Sequence, residues 1–468
     1  MPVKIAFIGA GSLGFTRQLV ADILAVKELN DISIAFTDIN EQNLDMVYQI
    51  CDRDIRANQL PATLVKTTDR RTALSGANFV VNTVRVGGLD AFAADIEIPL
   101  SYGIDQCVGD TLGPGGIMYG QRGISAMLAF CKDIREVSAK DVLLLNYSNP
   151  NAQMTWAANK FGGVPCVGLC HGVQNGHRQI AEALTGWAKK HGQLKSNETI
   201  EKKDVDIICA GINHQTWYIQ VRWRGMDMTP HLLEAYEMNV ELSRKEKVRI
   251  DMLRRFGYYS TESNGHLSEY LPWYRKRQSE IEKWIDVDNV WDRAGGYLQV
   301  CSERRNFFET EFPKLLAEPP TIFSPERRSV EHGSWIIESI VTGRTYRGHF
   351  NMINNGCITN LPADAVVEAP GYVNAWGIQM PPIGDLPLGA AAVCTASISV
   401  QRLSVEAAVS GNDMLLRQAM MMDPLTGAVL DPNEIWQMTD DMLIAGERWL
   451  PQYTKAIAEA KTRKGRSQ

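Results

Sequence analysis

The chain contains no run of about eighteen or more consecutive apolar residues, so no uninterrupted apolar membrane-spanning helix is expected. Its N-terminus has no basic stretch followed by an apolar run and a small-residue cleavage site, which argues against a secretory signal. Excess positive charge is also missing. The formal net charge is −6, and only the tail Lys455–Lys464 is basic, as a solvated helix end would be. A nucleic-acid surface is therefore not expected. There is no paired cysteine framework. Nine cysteines, an odd number scattered over 468 residues, suit reduced thiols in a cytoplasm, mostly as small buried hydrophobes. Internal repeats and low-complexity segments are absent too.

What is present is a chain 45% hydrophobic, long enough for one large core or two domains. Its first third alternates. Short apolar runs at Val3–Ile8, Ile32–Phe36, Phe79–Val84, Val142–Leu145 and Val167–Leu169 suit parallel strands buried on both faces. Amphipathic stretches such as Arg17–Val26 and Gly123–Val137 lie between them. This pattern predicts an α/β, doubly wound sheet. Beyond Gly211, charged and aromatic helical patterns dominate, with strand-like pieces near Tyr346–Asn354 and Ala365–Val373. Leu403–Tyr453 reads as largely helical. A boundary is placed in the polar run Lys195–Lys203, dividing the chain into a domain of residues 1–200 and an α+β domain of residues 201–468.

Gly9-Ala10-Gly11-Ser12-Leu13-Gly14 is a G-x-G-x-x-G between a strand and a helix. The first glycine permits a tight turn and the second lets backbone approach a pyrophosphate. The third is expected to allow close helix–strand packing. The phosphates then meet free N–H groups at the helix start. Asp38, at the end of the next strand, is placed to accept from a ribose 2′-hydroxyl and to repel a 2′-phosphate. The expected cofactor is NAD, in a Rossmann-type domain.

Two further strand ends carry metal-ligating chemistry. Gly168-Leu169-Cys170-His171-Gly172 closes one, and Gly211-Ile212-Asn213-His214 follows Val205–Ala210. A thiolate and an imidazole suit a Mn²⁺-like ion completed by substrate and water. A structural histidine and a buried cysteine are the competing reading. Asp110–Gly116 reads as a glycine-rich loop with one acid. Asn146–Pro150 ends a strand with amides able to bind sugar hydroxyls. Gly257–Tyr274 gathers Glu262, His266, Glu269, Tyr270 and Trp273, and reads either as a carbohydrate-stacking segment or as an interface helix or loop.

Taken together, these motifs resemble glycoside hydrolase family 4 in identity and order. The resemblance continues through Gly356–Glu368 and Met421-Met422-Asp423-Pro424. It is greatest to bacterial α-galactosidases of the melibiase type. It implies an NAD-dependent route distinct from the two-carboxylate mechanism: oxidation at carbon 3 of the sugar, proton loss at carbon 2, elimination of the aglycone, water addition and re-reduction. It also implies a second domain like that of lactate and malate dehydrogenases. By resemblance, Cys170 and His214 ligate the metal, Tyr270 is the base and Asn149 binds substrate. The acid is His171 or Asp110, since position 171 carries no carboxylate here. Members acting on 6-phosphosugars place an arginine where this chain has Leu89-Asp90-Ala91-Phe92-Ala93, so a non-phosphorylated α-glycoside is expected. Gly172 departs from the serine usual in melibiases, and its Cys-His-Gly form resembles α-glucosidases and α-glucuronidases. These remain alternatives, with a simple NAD-dependent dehydrogenase behind them. The resemblance also implies a homodimer or homotetramer.

Overall fold

The computed structural model describes residues 3–304 and 307–466. Among them, thirteen strands form one sheet. They are β1 (Lys4–Ile8), β2 (Ser33–Thr37), β3 (Thr63–Thr67), β4 (Phe79–Asn82), β5 (Leu143–Asn146), β6 (Cys166–Gly168), β7 (Val205–Ile212), β8 (Gln215–Trp223), β9 (Met226–Asp227), β10 (Tyr259–Ser260), β11 (Tyr346–Ile353), β12 (Val366–Asn374) and β13 (Gly377–Gln379). Their main order is β10-β8-β7-β12-β11-β6-β5-β4-β1-β2-β3.

The β6-to-β3 half is parallel. Its central strands are mostly apolar because helices cover both faces, with Asn82 and Asn146 ending β4 and β5. On β4, Val80 enters one core cluster with Leu144 and Trp156, while Val81 enters another with Phe7 and Phe36. The expected doubly wound sheet is therefore present. The sequence reading missed β3, because this edge strand of threonine, leucine, valine and lysine is mostly exposed and carries no apolar run.

The other half is antiparallel. β7 and β8 form a hairpin with the turn Asn213–His214. β11 and β12 form a second hairpin inserted between β6 and β7. It meets each neighbour at a single register pair, Asn351 with Gly168 and Glu368 with Gly211.

One expectation needs correction. Gly113–Gly116 are not loop but the first turn of the helix Gly113–Val137. Their small size serves packing: a β-carbon would lie 2.5 Å from the Gly109 carbonyl oxygen at Gly115, and 2.4 Å from the Thr111 backbone at Gly116. The helix Leu388–Ser410 is long and apolar enough to cross a membrane by composition. Yet its Ser397, Gln401 and Ser404 are buried, and Ser397 and Ser404 bond to Gln215 and Gln153. That pattern is the polar seam of a core helix.

Candidate active site

The C-terminal ends of β1, β2, β4, β5 and β6, with the β7–β8 turn, converge on one edge of the sheet, where open α/β sheets bind ligands. Gly9 has φ 84° and packs so tightly that a β-carbon would meet Val84 Cγ2 at 2.9 Å. The Gly11 N–H donates to Asp38 Oδ2 at 2.8 Å, and a β-carbon at Gly11 would strike the same oxygen. Ser12 stands at the N-cap of the helix Leu13–Leu24 but makes no side-chain cap. The first-turn N–H groups are thus left for an anion. Gly14 is not a packing glycine: it is exposed, and its β-carbon would meet nothing within 4 Å. Leu13 and Thr16 are the buried residues at this end of the helix, and Gly14 faces outward.

Across this edge Cys170 and His214 meet. His214 Nε2 lies 3.1 Å from Cys170 Sγ. The turn holds His214 in a left-handed conformation, φ 62°, which costs a non-glycine residue roughly 1–2 kcal/mol. Its Nδ1 faces Thr111 Oγ1 at 2.9 Å, His266 Nε2 at 3.0 Å and the Tyr270 hydroxyl at 3.4 Å. Burial, then the charges of His214 and Arg275, keep the His266 imidazole well below its ordinary range and hence neutral.

The third member is Glu262. One carboxylate oxygen lies within 4.8 Å of both the Cys170 sulfur and a His214 nitrogen. Gly172 makes room for it, since a β-carbon there would sit 1.5 Å from Glu262 Oε1. Buried Oε1 atoms of Glu262 and Glu368 have no hydrogen-bond partner. Neither residue makes an ion pair among the described residues. Burial and then the charge of Glu262 push Glu368 up to about 8. Burial, with Glu262 and Glu368 next, pushes the Cys170 thiol well up. The Glu262 carboxylate, a thiol and an imidazole nitrogen therefore converge, with the Glu368 charge felt at the thiol and no cationic side chain paired to either carboxylate among the described residues. Such a donor set fits a divalent metal ion, whose charge would favour the thiolate and the carboxylates.

Tyr270 is fully buried. Its neighbour Glu269 fixes its position, accepting from the Cys107, Val108 and Gly109 N–H groups at 2.8, 3.1 and 3.2 Å. Burial and the Glu269 charge hold the Tyr270 phenol well above its usual range. Asp110 receives Asn149 Nδ2 at 3.1 Å and Thr111 Oγ1 at 3.0 Å, and pairs with Arg85 at 3.3 Å. The Arg85 guanidinium lies over Phe92, Tyr119 and Tyr297. His171 Nε2 lies 2.7 Å from Glu331 Oε1. Burial alone would depress this imidazole, but the hydrogen bond and charge of Glu331 lift it above its ordinary value.

All the predicted site residues thus lie along one edge of the sheet. Sequence reasoning missed Arg85, Thr111 and Glu331 altogether, and gave Glu262 no ligand role. A sequence signal for that role is Gly172, whose departure from the serine usual in melibiases leaves the room that Glu262 fills. The stacking expectation for Gly257–Tyr274 is only partly met. Tyr259, Tyr270 and Tyr274 are buried in the protein, while Trp273 is exposed.

Comparison with known proteins agrees with this geometry. Residues 4–186 match the family model described as family 4 glycosyl hydrolase, and residues 209–426 match that of its C-terminal domain. The chain is 54% identical over 466 residues to an α-galactosidase of Rhizobium meliloti, covering 99% of this chain and 92% of that protein. An α-galactosidase of Bacillus subtilis is 33% identical, with 96% and 99% covered. A solved 6-phospho-α-glucosidase from gut microorganisms, in complex with NAD and glucose-6-phosphate, superposes with a TM-score of 0.77 at 25% identity, covering 96% of this chain and 99% of that one. The protein belongs to glycosyl hydrolase family 4.

Proposed function

We propose that the protein hydrolyses non-phosphorylated α-galactosides with NAD⁺ and a divalent cation such as Mn²⁺. The observation that carries this reading is the convergence of Cys170, His214 and Glu262 on the same sheet edge as the glycine turn and Asp38. NAD⁺ supplies hydride acceptance at carbon 3 of the sugar and its return, and the cation supplies Lewis acidity towards the oxygens at carbons 2 and 3. The Tyr270 oxygen takes the proton from carbon 2, and the glycosidic bond then breaks by elimination. His171 gives a proton to the leaving oxygen; of the two acid candidates its surroundings suit the role better. The oxygens of Asp110 are already engaged by Arg85, Asn149 and Thr111, so Asp110 positions Asn149 towards a sugar hydroxyl. Water then adds to the unsaturated sugar. The preference for galactose follows the 54% identical relative. The absence of phosphate follows Arg85, whose charge is already matched by Asp110.

The test is release of 4-nitrophenol from its α-galactoside, α-glucoside and α-glucuronide, with and without NAD⁺. NAD⁺-dependent release from the galactoside alone is expected. Release from another sugar corrects the substrate, and stoichiometric NADH without release refutes hydrolysis. A second measurement addresses His171. The variant His171→Gln is expected to lose roughly 10²-fold or more in kcat on an α-galactoside with a sugar aglycone. It should lose far less on the nitrophenyl substrate, whose acidic leaving group needs no proton. Equal losses on both would remove His171 as the acid.

A further inference from the structure

Behind the strap Ser329–His332 lies a second cavity, of about 490 Å³. Its wall carries His177, His332 and His349, three of the eight histidines in the chain. Four cationic side chains join them, against Asp206 as the one carboxylate of the lining.

Most of these groups are already engaged. Arg347 bonds to Asp206 at 2.7 Å and to the Ile207 carbonyl at 2.8 Å. Lys203 pairs with Glu201, and Arg328 with Glu338. His177 Nε2 donates to the Val205 carbonyl at 2.7 Å, and His332 Nδ1 meets the Tyr346 hydroxyl at 2.6 Å. Two groups are not. Lys202, half-buried, makes no ion pair or hydrogen bond among the described residues, and burial followed by the Arg178 charge depresses its ammonium. His349 is 9% exposed, and its buried Nε2 has no partner. A buried imidazole nitrogen without a partner carries a desolvation cost of about 1–3 kcal/mol. A neighbouring unmatched ammonium adds to that cost, and one anion would offset both. Trp335 and Tyr346, stacked at 5.7 Å, form an apolar wall beside them.

We propose that this cavity is a second binding site, for a small molecule bearing a phosphate or carboxylate oxyanion held between Lys202 and His349. The oxyanion accepts from the ammonium and from the imidazole N–H, and the body of the molecule lies along Trp335 and Tyr346. The volume suits a ligand of metabolite size. The site adjoins the strap that carries Glu331, the partner of His171, but none of the catalytic groups lines it, and it does not depend on their assignment.

The experiment is calorimetric titration of the full-length protein with inorganic phosphate and, separately, with succinate. NAD⁺ is held at saturation throughout, so that the dinucleotide turn cannot take the anion. One of the two anions is expected to bind once per chain, and which one binds names the chemical class. Lys202→Gln, at a half-exposed position that tolerates the change, should weaken binding about tenfold or more, as loss of a charge-assisted hydrogen bond does. His349→Ala should do the same. Turnover without added anion should be unchanged in Lys202→Gln. The proposal is overturned if neither anion binds, or if Lys202→Gln leaves the binding intact. It is overturned too if Lys202→Gln lowers the oligomeric state in solution, for the cavity is then a contact between copies of the chain.

Discussion

Tyr270→Phe is expected to lower kcat by roughly 10²–10⁴-fold, the usual contribution of a positioned proton-transfer group. Affinity for NAD⁺ and for metal should stay the same. The change removes one oxygen from a fully buried ring in the cluster of Leu112, Ile117 and Leu416, so the fold has little reason to shift. His214 keeps Thr111 and His266 as partners at Nδ1. What disappears is the phenolic oxygen beside His214, the group assigned here to take the proton from carbon 2. With no cation nearby, burial and Glu269 oppose the phenolate, so proton transfer to Tyr270 depends on the positive charge held by Cys170 and His214. The sharpest readout is solvent-hydrogen exchange at carbon 2 of the sugar. Tyr270→Phe should stop that exchange, and continued exchange with normal turnover would remove Tyr270 from the reaction.

Stripping the protein of divalent metal is expected to abolish turnover completely while NAD⁺ still binds. On the proposed assignment the two sites share a sheet edge but no ligands: Gly9–Gly14 and Asp38 would hold one, and Cys170, His214 and Glu262 the other. Metal-free protein keeps a half-buried thiol close to carboxylate oxygens that lack hydrogen-bond partners. Adding Mn²⁺ at a hundredfold excess over its dissociation constant should therefore stabilise the fold by about 2.7 kcal/mol. It should also release a proton from Cys170, because only the thiolate ligates. Cys170→Ser and Glu262→Gln should each reduce that thermal shift. Full activity after exhaustive chelation would refute the metal assignment.

How much of this could be read in advance depended on how local each signal was. The dinucleotide turn is six consecutive residues plus Asp38, and its strand–turn–helix context is contiguous, so it was legible. Cys170 and His214 were visible as unusual residues at the ends of apolar strands. Their meeting was not, because 44 residues separate them in the chain. The partner that lifts His171 lies 160 residues away at Glu331. The carboxylate of Glu262 enters the site only because Gly172 has no β-carbon, and steric permission of that kind leaves a glycine in the sequence but not its reason. Gly14 shows the opposite error: a motif position was given a packing role that the outward-facing helix start does not need.

The β11–β12 hairpin occupies the gap between the strand that delivers Cys170 and the strand that delivers His214. Ribosomal synthesis reaches both ligands long before it reaches residues 346–374, which must slide between their strands to set the spacing. A nascent chain can thus own every metal-binding side chain and still have no metal site. Such late, long-range closure belongs to the slow steps of folding. On the proposed metal assignment, the ion would therefore stabilise only a chain whose β11–β12 hairpin is in place.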